Sequence, residues 1–167
     1  PMWLPGGFLV FSDIPANELK KWTPEGVTTF RSPSGNANGN TVDLQGRLVS
    51  AEHAGRISRT EKDGSVVTVG DSFDGKKLNS PNDVVVKSDG TIWFTDPDYG
   101  LGKRTKEQAA NHVFRYDEKT KQITAVVSDF DKPNGLCFGP GEKKLYVADS
   151  GKPRHIRVFD VKADGTL

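Results

Sequence analysis

Short runs in which apolar and polar residues alternate dominate this chain, and helical spacing of apolar positions is almost absent. Val113-Phe114-Arg115-Tyr116 and Ile156-Arg157-Val158-Phe159 are two such runs, and each predicts a half-buried strand. Glu-Lys-Asp-Gly at 61–64, Asp-Glu-Lys-Thr-Lys at 117–121 and Lys-Ala-Asp-Gly at 162–165 lie beside strand runs and predict hairpin turns. Only Thr105–His112 predicts a short helical turn, and it lies in a connection.

A longer period overlies the alternation. Four segments pass from a Gly or polar turn through a short apolar strand to an acidic residue. They are GGFLVFSD ending at Asp13, QGRLVSAE ending at Glu52, SDGTIWFTD ending at Asp96 and GEKKLYVAD ending at Asp149. The acidic ends are 39, 44 and 53 residues apart. Propeller blades of four strands repeat at roughly 40–50 residues. The spacing therefore predicts an all-β, propeller-like fold with nearly four blades.

Asparagines repeat in register with the acidic ends. Asn38 precedes Glu52 by 14 residues, Asn82 precedes Asp96 by 14 and Asn134 precedes Asp149 by 15. Each Asn opens the strand leading into its blade's hairpin, so the three are expected to converge on the central channel at one face. Their side-chain oxygens are hard donors of the kind calcium takes. Asn also favours turns, which is the plainer account of any one of them. The same register places the first unit's axial residue at position −1, so the N-terminus reads as cut.

Composition narrows the function. Lys plus Arg total 23 and Asp plus Glu 22, a net charge of +1, which argues against a nucleic-acid surface. The basic cluster Gly102–Glu107 reads as a solvated loop. A single cysteine, Cys137, permits neither an internal disulfide nor a Cys-based zinc site, and its apolar neighbours predict a buried thiol. No apolar run approaches the roughly 20 residues of a membrane span, so no membrane partner is expected. The expected compartment is the cytoplasm, with periplasm or export left open by the cut N-terminus. The serine-hydrolase elbow, the P-loop and the His-Glu-x-x-His zinc motif are all missing. Trp93 and Phe94 are expected in core and channel-wall packing, and Trp3 and Trp22 between blades.

The segments Ser80–Gly100, Lys132–Gly151 and Arg154–Val161 resemble the gluconolactonase/regucalcin (senescence marker protein) family, and Asn38–Arg59 resembles its gluconolactonase branch. The resemblance covers essentially the whole chain. It implies an all-β, six-bladed β-propeller, of which residues 1–167 would form roughly three and a half four-stranded blades as one incomplete domain, and a calcium-dependent lactonase. It implies Asn134 as a metal ligand and Asn82 as a metal ligand or substrate contact. Pro1-Met2-Trp3 matches the tail of the family's Glu-Gly-Pro-x-Trp motif, whose Glu binds the metal and would stand just before Pro1. The second ligand carboxylate, the expected general base, would lie beyond Leu167.

The implied chemistry is hydrolysis of a cyclic ester. Calcium, or zinc, manganese or magnesium in its place, would polarise the lactone carbonyl, and a carboxylate would accept the proton of the attacking water. Asn38, Glu52, His53, Asn82, Asp96 and Tyr99 are expected around the channel mouth, where a sugar lactone needs paired donors and acceptors. Plainer roles stand beside these. Asp96 before Pro97 builds a turn, His53 is a satisfied loop histidine and Asp149 braces its loop by accepting backbone N–H groups. Two other functions stay open: a non-catalytic, partner-binding or self-associating segment with exposed blade edges, and a related propeller hydrolase acting on aryl esters or phosphotriesters.

Overall fold

Each acidic-ended segment is the second strand of an antiparallel sheet in a computed structural model describing all residues, Pro1–Leu167. The first sheet runs β1 (Met2–Leu4), β2 (Phe8–Asp13), β3 (Glu18–Thr23) and β4 (Gly26–Arg31) in chain order. The second runs β5 (Ala37–Val42), β6 (Leu48–Glu52), β7 (Arg56–Thr60) and β8 (Val66–Gly70). A small hairpin, β9 (Ser72–Phe73) with β10 (Lys76–Lys77), precedes the third sheet. That sheet comprises β11 (Val84–Val86), β12 (Ile92–Asp96), β13 (Asn111–Asp117) and β14 (Gln122–Phe130). The fourth has three strands, β15 (Pro133–Phe138), β16 (Lys144–Asp149) and β17 (His155–Asp160). These are the meandering blades of a β-propeller, three with four strands and one with three.

The blades stack because alternate residues of each strand serve opposite neighbours. In β12, Ile92 and Phe94 pack with Val49, Ala51 and Ile57 of the second blade. Trp93 between them packs with Leu136, Leu145 and Val147 of the fourth. Leu4, Val10 and Leu19 join the first blade to Leu48 of the second. Both faces of β6 and β12 are covered, so every residue of the two strands is buried. Each large side chain buried this way contributes about 1.5–3 kcal/mol. The Trp93 indole N–H donates to Thr91 Oγ1 at 2.9 Å, which satisfies its one polar atom inside the core.

The end blades differ. Trp3, Leu9, Trp22 and Val27 lie in one cross-strand row of the first sheet. Trp3 and Trp22 are exposed there and bridge no blades. Cys137, Tyr146 and Val158 form the corresponding row of the last sheet, and the Cys137 thiol is exposed. Alternation turned Leu136 inward and Cys137 outward, so an apolar neighbour in sequence did not predict burial.

Residues 105–112 form no helix; β13 begins at Asn111. Side-chain anchors take the place of helical hydrogen bonds in this connection. Gln108 donates to the carbonyls of Phe73, Lys76 and Lys77, and Glu107 accepts the Lys77 N–H at 2.9 Å. The basic cluster is also less solvated than its composition suggests, because Arg104 is tied to three backbone carbonyls. No helix is long and apolar enough to cross a membrane.

Candidate functional site

The innermost strands β5, β11 and β15 are neighbours around the propeller axis. They bring the starts of three blades together, and the three asparagines sit there. Each Asn backbone carbonyl is held by the preceding blade. Ser12 Oγ donates to Asn38 O at 2.8 Å, Gly39 N–H to Asn82 O at 2.7 Å and Thr95 Oγ1 to Asn134 O at 2.7 Å. The periodic Asn is thus a seam residue in all three blades, its backbone carbonyl taken up across the seam.

The three side chains have different surroundings. Asn134 Nδ2 donates to Tyr99 Oη at 2.8 Å and to Ser150 Oγ at 3.3 Å, which leaves its Oδ1 free to accept or coordinate. Asn82 is buried apart from its tip, and its amide makes no hydrogen bond within the chain. The Asn38 amide lies 3.3 Å from His53 Nε2. The His53 and Tyr99 rings meet edge to face, with centroids 6.3 Å apart. Asn38, His53, Tyr99 and Asn134 therefore form one line of contacts across three blades.

Electrostatics keep this line neutral. Burial, and then the nearby Arg104 cation, push the His53 imidazole below its usual pKa. Burial, and then the Asp83 charge, push the Tyr99 phenol upward. Tyr99 thus keeps its hydroxyl proton at neutral pH. Because Asn134 already donates to its oxygen, that proton can point outward.

Glu52 and Asp96, expected at the channel mouth, sit inside the blades with no exposed surface. Glu52 accepts Arg31 Nη2 at 2.8 Å and Arg56 Nε at 2.6 Å, and Ser58 Oγ also donates to it. Asp96 Oδ2 accepts the Asn79 N–H at 2.8 Å. Asp149 accepts the N–H groups of Asp131, Lys132 and Gly151 at 3.0, 2.9 and 2.8 Å. The acidic end of the second strand is a latch. In the third and fourth blades it takes up N–H groups of the loop entering the blade; in the second it neutralises two arginines.

Asp83 is a site residue that the Asn register alone did not single out. Its Oδ1 accepts Val84 N–H at 3.0 Å and its Oδ2 accepts Leu136 N–H at 3.1 Å, joining the third blade to the fourth. Burial raises its pKa, and those two N–H groups oppose the rise. A signal for it was in the register: the residue after the periodic Asn is Gly39, Asp83 and Gly135. A Cβ on Gly39 would lie 2.5 Å from Asp83 Oδ1, and one on Gly135 would lie 3.7 Å from Oδ2. The Asp83 carboxylate fills the space that Gly39 leaves and lies in ordinary contact with Gly135.

Asn82 and Asn134 offer two neutral oxygen donors, which suit a hard cation such as calcium as part of its shell of six to eight. They do not complete such a shell. Both oxygens of Asp83 are engaged, and no three His, Cys, Asp or Glu side chains are grouped to hold a metal.

The model of the SMP-30/gluconolactonase/LRE-like region matches residues 1–167. A gluconolactonase of Zymomonas mobilis is 35% identical over 189 aligned positions, which cover 99% of this chain and 52% of that protein. A gluconolactonase structure from Xanthomonas campestris superposes with a TM-score of 0.93 at 36% identity, covering 100% of this chain and 59% of that one. Virginiamycin B lyase of Staphylococcus aureus shares the fold alone, with a TM-score of 0.62 at 19% identity over 97% of this chain and 55% of that one. The chain spans a little over half the length of the gluconolactonases it matches. With the blade register, the inner-strand asparagines and these matches in agreement, the chain belongs to the SMP-30/gluconolactonase/LRE-like family.

Proposed function

We propose that this chain forms part of the site of a calcium-dependent lactonase that opens a sugar lactone such as gluconolactone to its aldonic acid. The observation that carries the reading is the line Asn38–His53–Tyr99–Asn134, neutral polar groups held at the inner strand ends with hydrogen-bonding capacity to spare. Names of the gluconolactonase relatives support it.

Asn134 and Asn82 would hold the cation, calcium or else zinc, manganese or magnesium. Bound there, a divalent cation supplies a Lewis acid for the lactone carbonyl. The chain's own groups bind and orient the substrate. The Tyr99 O–H donates, the Asn38 amide both donates and accepts, and the held backbone of Asn38 fixes that amide at the seam. Two nearby carboxylates, Asp83 and Asp149, are occupied by backbone N–H groups, so neither is assigned as proton acceptor.

The test is proton release from D-glucono-δ-lactone with calcium and with chelator, after subtraction of spontaneous hydrolysis. Calcium-dependent turnover, lost with weakened calcium binding in Asn134→Ala, is expected. Asn82→Ala is expected to lose turnover with a smaller loss of calcium binding. Absence of turnover in this chain and in any longer protein containing it overturns the reading, as does turnover indifferent to calcium.

A further inference from the structure

His53 stands out because the fold builds a seat for it. Its Nε2 is engaged by the Asn38 amide at 3.3 Å, and its ring meets the edge of Tyr99. Gly100 lies flat beneath it: a Cβ there would sit 2.6 Å from His53 Cγ and 2.7 Å from Nδ1. Gly100 itself is fixed by its N–H donating to Ser80 Oγ at 2.9 Å. The backbone carbonyl of His53 accepts Arg104 Nη2 at 2.7 Å, which anchors the residue from behind. Ring and backbone are therefore placed independently.

One ring nitrogen is left over. Nδ1 makes no hydrogen bond within the chain, and it is not among the buried atoms that lack a partner. The residue borders an open concavity of about 560 Å³, with Ile14, Pro15, Asn36, Tyr99, Gly100 and Gly102 as the rest of its lining. That size accommodates a monosaccharide-sized ligand. With Nε2 accepting from the Asn38 amide, the neutral ring carries its proton on Nδ1, so the free nitrogen is a donor.

We propose that His53 is a specificity-determining residue whose Nδ1–H donates to a hydroxyl oxygen of a polyhydroxylated six-membered ring seated against Tyr99 and Gly100. This rests on the lactone reading for the identity of the substrate, but the subsite itself is built wholly from residues of this chain. Its role is selection of a hydroxylated ring over an unsubstituted one.

The probe is 1,5-anhydro-D-glucitol, which has the hydroxylated ring and no carbonyl to hydrolyse. In a histidine-¹⁵N-labelled chain it is expected to shift the His53 ring signals and leave His112 and His155 in place. His53→Ala and Gly100→Ala are each expected to weaken binding about tenfold, the loss of one neutral hydrogen bond. In turnover, His53→Ala is expected to lower kcat/KM for gluconolactone about tenfold more than for δ-valerolactone, which lacks the hydroxyls. A His53 shift without lactone hydrolysis, by this chain or by any longer protein containing it, keeps the subsite and removes the lactone reading. Hydrolysis with equal losses on both lactones, or with none, removes the subsite and keeps the lactone reading. A probe that leaves the His53 signals unmoved also overturns the proposal.

Discussion

The Gly39 N–H donates to the Asn82 carbonyl at 2.7 Å, and Gly39 has no room for a side chain, because a Cβ would lie 2.6 Å from the Asp83 Cα and 2.8 Å from Asn82 O. Two inner strands meet here backbone to backbone, and the contact sets how far Asn82 reaches toward the axis. Gly39→Ala is expected to push β5 and β11 apart, at a cost of about 1–3 kcal/mol. Urea denaturation checks it. An unchanged midpoint would mean that the strands separate freely.

Glu52 is wholly buried against Arg31, of which only a tenth of the side chain is exposed, and the more open Arg56. Removing one partner of a buried pair leaves an uncompensated charge, which costs about 3–5 kcal/mol. Glu52→Ala is therefore expected to destabilise the chain by that order. Glu52→Gln, which keeps the shape and accepts from one arginine, is expected to lose less. Equal melting temperatures for wild type and Glu52→Ala would refute the latch role.

Asp96 supplies a pH dependence of unusual sign. Burial raises its pKa to about 7, against the opposing N–H groups of Asn79 and Ser80 and the charges of Arg104 and Lys106. Its Oδ1 and the Asn79 Oδ1 are both buried without a donor, an arrangement that favours the protonated acid. The unfolded value is near 3.9. The folded state therefore binds the proton more tightly, so this group's contribution is full below about pH 4, falls as pH rises toward 7 and is flat above. Asp96→Asn, which brings its own N–H donors, is expected to remove that decline. The gain at pH 8 is on the order of 4 kcal/mol. Denaturation curves at pH 4, 6 and 8 would show it, and parallel pH profiles for the two proteins would exclude it.

The open rows of the end blades carry an association prediction. Trp22 is 41% exposed and Ile156 67%, at positions where inner blades bury their neighbours' side chains. Exposed apolar faces of this kind associate. Trp22→Glu with Val158→Lys is expected to shift the chain toward monomer in sedimentation velocity at micromolar concentration. A wild-type chain that is monomeric throughout would show that these faces stay open in water.

The repeating strand–acid pattern was enough to establish the blades, their order and the core positions of Trp93 and Phe94, because a strand covered on both faces leaves a local apolar signature. It also located Asn38, Asn82 and Asn134 at equivalent places, since register within a repeat is a property of chain spacing. Which polar residues are buried inside the blades was settled only in three dimensions. Glu52 and Asp96 look like pocket residues in a string of letters, yet two arginines claim the first and a loop N–H the second. Cys137 looks like core, and Trp3 and Trp22 like bridges between blades, yet all three lie on faces that nothing in the chain covers. Asp83 and His53 gain their places from glycines 44 and 47 residues away, at positions 39 and 100. Contacts across blades join residues that the repeat keeps far apart in sequence, so they leave no local periodicity to read.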